Sequence, residues 1–410
     1  MGRLIKQSSL SAYSVKSNDS PVLTVANSNF SNTLYVAKNG SDSNDGKSLA
    51  TPFLTIKAAM AAATSGTAVK VASGSYTEIN PVTIPANVAL MGEDLRTVFI
   101  TPATPSSDLF YLNAGTYVWG ITVKDYLANC FSYPPGGGLT VYISPYIQNI
   151  TSKTTTGTCV LIDGSLSTSD STKGMILGFM TIINTGGVGV KLINQAYSQM
   201  VNIYTIATDV GIKIESGSFA TVNGSDCSIG NYGIWADGKV ALYTGTVLNA
   251  VQAGNTSVTL SGMSSFPRTN NGLLIGSDPN LYFISTFSNI GANTWQINVT
   301  SRFGNSFAGG TSATGYAVST VSASGHTMEY VGAGTNPATA LPQYGGIPVP
   351  ANEVVQTNGG RVNFTSTDQK GDFRIGTGLT MVRATGTIEG DDFNRSLFAV
   401  LTPYILSIEG

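Results

Sequence analysis

The sequence predicts an all-β chain built around a right-handed parallel β-helix, followed by a small additional antiparallel β-domain and a C-terminal oligomerisation segment. Three observations predict it: an ungapped 22-residue repeat, a composition suited to short strands and turns, and a near absence of long amphipathic helices between residues 80 and 240.

The repeat carries most weight. Gly189-Val-Lys-Leu-Ile193, Gly211-Ile-Lys-Ile-Glu215 and Gly233-Ile-Trp-Ala-Asp237 align without gaps, their glycines 22 residues apart. In each segment the first and third residues after glycine are apolar, which is strand alternation with those side chains pointing inward. A fourth copy, Val160-Leu-Ile-Asp163, precedes them by 30 residues, as a longer connecting loop would require, and Val141-Tyr-Ile143 fits the scheme less tightly. A repeat of this length cannot bury its own apolar face. Stacking successive copies does so, pairing each strand with its counterpart one coil away, about 4.8 Å distant. Val69–Val71, Val82–Ile84, Val88–Leu90, Val98–Ile100, Ile121–Val123 and Val201–Ile203 supply the other walls. An antiparallel sandwich needs turn-bounded hairpins and leaves the ungapped spacing unexplained.

Composition agrees. Hydrophobic residues make up 42% of the 410, enough for a core, while charged residues are only 11%, so uncharged polar side chains must supply the solvent face. A net charge of −2 leaves no electrostatic footprint for nucleic acid. No apolar run is long enough for membrane insertion, and the N-terminus has no apolar stretch of secretory type. The three cysteines, Cys130, Cys159 and Cys227, are far apart and odd in number, which predicts free buried thiols and assembly in a reducing cytoplasm. His326 is the one histidine, so neither a histidine-based triad nor a multi-histidine metal site is expected, and no cofactor is implied.

The segment Leu34-Tyr-Val-Ala-Lys-Asn-Gly-Ser-Asp-Ser-Asn-Asp-Gly46, then Thr51-Pro-Phe-Leu-Thr-Ile-Lys-Ala-Ala-Met60, Val71-Ala-Ser-Gly-Ser-Tyr-Thr-Glu78 and Ile84-Pro-Ala-Asn-Val-Ala-Leu-Met-Gly92, resembles the opening of pectate-lyase-like (pectin-lyase-like) β-helix proteins. The resemblance implies a first strand, a Gly/Asp/Asn loop and a short helix that caps the first coil. Residues 55–64 suit that helix, with Ile56, Met60 and Ala63 on one stripe. It specifies fold well and chemistry poorly, because lyases, hydrolases and inert fibres share the scaffold.

The expected organisation is a tail or virion anchor at 1–33, the cap at 34–65, the parallel β-helix at 66–242, a small β-domain, inserted or appended, at 243–318, and a β-rich assembly region at 319–410. Ser257–Leu260, Tyr282–Ser285 and Trp295–Val299 read as antiparallel strands of the small domain. Ser324-Gly-His-Thr-Met-Glu-Tyr-Val331, Phe364–Ile375 and Thr385–Phe393 resemble virion proteins of tailed bacteriophages, especially marine contractile-tailed ones. That resemblance implies a tail fibre, tailspike or baseplate-associated part, commonly a homotrimer, with other tail or baseplate proteins as partners and the host surface polysaccharide as a candidate contact. The implied location is the virion, assembled in the bacterial cytoplasm. The apolar run Phe393–Ile408 would fasten the trimer.

The competing reading is a tailspike depolymerase. Glycoside cleavage needs two carboxyl groups about 5 Å apart, or about 6.5–9.5 Å for inversion. Glu215 and Asp237 hold the same position in successive repeats, with Asp163 in an earlier one, and are the candidate catalytic residues. Lys191, Lys213 and Trp235 share the neighbouring outward column and are the candidate ligand contacts, the indole offering a stacking face for a sugar. A solvated charge ladder explains the same pattern and is preferred.

Overall fold

In the computed structural model the described residues are 30–166, 174–228, 232–267 and 271–324, with the backbone of short strands beyond these ranges. Residues 392–408 and His326 lie outside them. The chain is a right-handed parallel β-helix. One short wall stacks the parallel strands 82–84, 110–112, 129–132, 158–163, 188–193, 210–215 and 232–237. The opposing long wall stacks 67–71, 89–92, 117–124, 146–154, 174–184, 197–206 and 219–223.

The long strands are bent, so that one sheet forms two walls. Each bend has a residue with left-handed backbone: Gly120 (φ 73°), Asn149 (φ 54°), Phe179 (φ 53°), Asn202 (φ 54°) and, between 219–223 and 226–228, Gly224 (φ 54°). Glycine and asparagine tolerate that conformation; a phenylalanine there is an outlier.

The inward columns follow the repeat. Val82, Phe110, Phe131, Val160, Val190, Ile212 and Ile234 lie one above another, all fully buried, and Ile162, Leu192, Ile214 and Ala236 form the next column. Phe110 and Phe131 stack at 5.5 Å with rings 12° apart. Burying each such side chain contributes roughly 1.5–3 kcal/mol. The glycines of the repeat have a packing reason. A Cβ on Gly189 would lie 2.9 Å from Thr205, and one on Gly211 would lie 2.6 Å from the Cys227 Sγ and 2.7 Å from the Thr205 Oγ1. Earlier coils carry Cys130 and Cys159 at the equivalent position, both buried and free.

The strand Asn32–Val36 and the helix Ile56–Ala62 close the first coil. The helix is one turn shorter than the stripe predicted, burying Ile56, Ala59 and Met60, with Ala63 at its C-cap. Thr55 caps its start by accepting from the Ala58 amide at 3.1 Å. Glu78, on the coil beneath, accepts from the amides of Ile56 (2.9 Å) and Lys57 (3.0 Å), tying the cap to the solenoid.

Two expectations need correction. Val141-Tyr-Ile143 is not a strand: Val141 is buried in the core from a loop, while Tyr142 and Ile143 are exposed. The strand of that coil is Asn129–Ser132, whose apolar pair Cys130-Phe131 lacks the alternation sought. Nor does the solenoid stop at residue 242. Thr320–Ser324 stacks in parallel on Phe219–Asn223, and the backbone of Val355–Asn358 continues the short wall from Tyr232–Asp237. The segment between is an insertion: six antiparallel strands, 239–247, 257–261, 294–299, 282–291, 272–275 and 312–318 in spatial order, closed into a barrel around its own core of Leu260, Leu273, Ile275, Ile284, Ile297 and Phe303. It occupies a turn that spans only residues 194–196 and 216–218 in the preceding coils. Its two ends meet, the Ser319 amide donating to the Gly238 carbonyl at 3.0 Å, and the Thr320 amide then bonds the Ser218 carbonyl at 2.9 Å.

Candidate functional site

The candidate residues lie on the outer face of the short wall, where the repeat placed them. Lys191, Lys213 and Trp235 are consecutive partners in one column, and Glu215 pairs with Asp237 in the next, while Asp163 pairs with Ile193, which separates it from Glu215. Only one side of this face is a chemical cluster, and its centre is Glu215.

Glu215 receives the ammonium groups of both lysines, Lys213 at 2.8 Å and Lys191 at 3.1 Å. Partial burial pushes its carboxyl up, but the hydrogen bonds from Lys213 and Lys191 outweigh that and hold it below the ordinary glutamate range. Lys213 also lies over the Trp235 ring, 4.6 Å from its centroid, and Tyr232 packs against the same indole at 4.8 Å. The Trp235 Nε1 is buried without a hydrogen-bond partner among the described residues. The face of Trp235 that would stack on a sugar is thus covered by an ammonium on one side and contacted by a tyrosine.

Asp163 stands apart. It accepts from the Ser165 amide (2.9 Å), the Ser165 hydroxyl (2.7 Å) and the Asn194 side chain (2.8 Å), so it fixes a turn and the step to the next coil. The arrangement places one ionised, doubly paired carboxylate where a glycosidase would need a protonated acid beside a base. Two of the three buried thiols are held protonated: burial pushes Cys159 up to about 11 and Cys130 well above its ordinary value. Among the described residues no group of three or more histidine, cysteine or acidic side chains is placed to hold a metal.

A second surface escaped the sequence reading. The outer face of the long wall carries Met91, Trp119, Gln148, Gly178 and Val201 in one column and Tyr117, Tyr146, Ile176 and Gln199 in the next. At its capped end a cavity of about 270 Å³ opens between Leu49 of the cap loop and the side chains of Tyr35, Lys70, Met91 and Glu93. The available signal was Tyr117-Val-Trp119, where the residues alternating with a core valine are aromatic rather than polar.

A family described as a protein of unknown function (DUF1565) matches residues 38–103. No curated protein matches the chain in sequence. Among solved structures, pectin methylesterase PemA from Erwinia chrysanthemi is similar at 12% identity over 84% of this chain and 92% of its own, with a TM-score of 0.34. A pectin methylesterase in complex with a hexasaccharide is similar at 13% identity over 52% and 82%, with a TM-score of 0.29. The complex of XylC with xylose is similar at 10% identity over 85% and 86%, with a TM-score of 0.24.

Proposed function

We propose that this chain is a non-catalytic β-helix component of a tailed-bacteriophage virion, a tail-fibre or tailspike-like part attached to the tail or baseplate as a homotrimer. The observation that carries the non-catalytic half is Glu215 clamped between Lys191 and Lys213. Two cations on one acid hold it ionised, which leaves no proton to donate to a leaving group. The virion half is supported by the C-terminal segments 324–331, 364–375 and 385–393, similar to phage structural proteins, which lie outside the residues whose side chains are described. A solenoid closed at one end by a helix and extended coil by coil also suits a rigid spacer.

Two measurements test the two halves. Incubation of the purified chain with surface polysaccharide from the host should release no new reducing ends; release that disappears in Glu215→Gln or Asp237→Asn makes the protein a depolymerase. Immunogold labelling of purified phage particles should decorate the tail, and label confined to cell fractions overturns the virion assignment.

A further inference from the structure

The long wall's outer face differs from the rest of the surface in three independent ways. First, it is apolar and aromatic without being charged. Between Lys70 and Asn223 one column reads Met91, Trp119, Gln148, Gly178, Val201, and its neighbour from Ala89 to Thr221 reads Tyr117, Tyr146, Ile176, Gln199; neither holds a charged residue. Tyr146 is 42% exposed and Val201 40%. Second, this strip runs into a formed cavity of about 270 Å³ whose charged lining is one cation and one anion, Lys70 and Glu93.

Third, Phe179 is held at φ 53° and 60% exposed in a stack of bends otherwise made of glycine and asparagine. Left-handed backbone at a bulky residue carries a steric cost. Packing does not recover that cost here, because the ring points to solvent. Beside it, Gly178 is buried, with the Gln148 side chain lying over it: a Cβ there would be 3.5 Å from the Gln148 Nε2.

We propose that this face binds a neutral oligosaccharide, with one sugar in the cavity between Lys70 and Glu93 and the following rings lying over Trp119 and Tyr117 toward Phe179. Met91 to Phe179 spans three coils, about 14 Å at about 4.8 Å per coil. Apolar faces of sugar rings stack on aromatic side chains, and hydroxyls both donate and accept, which matches the amides of Gln148 and Gln199. The charge pattern selects a neutral sugar: a hydroxyl accepts from Lys70 and donates to Glu93, whereas a sugar carboxylate facing Lys70 would also face Glu93. Glu93 already accepts from the Ser73 amide and hydroxyl at one oxygen, Oε2, at 2.9 and 2.8 Å, which fixes the carboxylate in place. This deepens the attachment reading above, and rests on it only for the biological source of the sugar.

The test uses the full chain and three neutral probes, hexasaccharides of α-1,4-glucose, β-1,4-glucose and β-1,4-mannose, with hexagalacturonate as the acidic comparator, read by calorimetry and tryptophan fluorescence. At least one neutral probe should bind and hexagalacturonate at least tenfold more weakly. Trp119→Ala should reduce the affinity at least tenfold. Phe179→Asn is the sharper variant: it should raise the melting temperature, since asparagine suits the bend, and still weaken binding severalfold. Ile290→Asn, on the exposed barrel hairpin, should leave binding unchanged. No binding of any neutral probe at millimolar concentration overturns the proposal. So does unchanged affinity in both Trp119→Ala and Phe179→Asn, or a homotrimer, seen by sedimentation, that dissociates in Trp119→Ala and so uses this face as its interface. Absence of the protein from virions would instead sink the function proposed above and leave this binding intact.

Discussion

The solenoid and the inserted barrel have similar uncharged, glycine-rich sequences, yet they satisfy their strand edges in opposite ways. The solenoid leaves each coil dependent on the next, with most wall strands bonded to residues some 21 to 30 positions away. The barrel closes its six strands on themselves and has a separate core. The difference teaches that the insertion is a self-contained unit whose neck, Gly238 to Ser319, is no wider than a hydrogen bond. Stability is therefore expected to divide between the two parts.

The largest effect should come from Ile212→Asp. It places an unpaired charge in a fully buried column shared by two neighbouring coils, a loss of more than about 4 kcal/mol. Circular dichroism should show the solenoid unfolded, and limited proteolysis should leave a resistant fragment spanning the barrel; a native-like solenoid would count against the stacked architecture. Gly315→Val breaks the other half. A Cβ at Gly315 would sit 2.0 Å from the Tyr243 ring, so the barrel should open, while proteolysis spares residues 30–228. Joining Gly238 directly to Ser319 in place of the barrel should then shift the solenoid's melting temperature by only a few degrees. Loss of the cooperative transition in that deletion would show that the two parts are one unit.

Smaller effects sharpen the division within the solenoid. Glu78 at the cap is buried, and desolvation raises its pKa more than the Ile56 and Lys57 amides lower it. A raised folded pKa means that the folded state holds the proton more tightly than the unfolded state. The resulting stabilisation is complete below the ordinary glutamate range and is lost as pH rises through the folded value. Thermal melts from pH 4 to 8 should show that decline in the wild type, with a flatter profile in Glu78→Gln. Glu215 has the opposite sign. Its lowered pKa gives stability above the ordinary range that disappears on acidification, so Glu215→Gln should cost about 0.2–1 kcal/mol at pH 7 and nothing near pH 2. An equal cost at both pH values would show that the lysine contacts contribute packing rather than charge.

What the sequence made legible was whatever depended on alternation and spacing. Val190, Leu192, Ile212, Ile214 and Ile234 are fully buried, and the cap helix begins at Ile56. The charge ladder of Lys191, Lys213 and Glu215 was legible because register follows from a constant repeat length. The coil of Asn129–Ser132 was hidden because a long connection, residues 133–145, breaks the repeat and places apolar Val141 where a strand was expected. The return of the solenoid at Thr320 was hidden for a similar reason: a hundred residues separate that strand from Phe219–Asn223, its neighbour in space. The aromatic outer face stayed out of sight because an alternating strand gives no sign of which face meets water once both sides are apolar.

The neck of the barrel bears on the order in which the chain acquires its shape. The Gly217 amide bonds the Ser319 hydroxyl across 102 positions of sequence, so the next coil must close a very long loop before any of its ladder bonds form. Closure entropy grows with the length of flexible chain in the loop. A barrel that has already folded removes some eighty residues from that flexible length and delivers Ser319 to the place where Gly238 left off. During synthesis at about 5–20 residues per second, those residues take roughly 4–16 s to emerge, and throughout that interval the edge of Phe219–Asn223 lacks its partner. The insertion thus sets a pause in the winding of the solenoid, and prompt local folding of the barrel ends the exposure of that edge to other nascent copies.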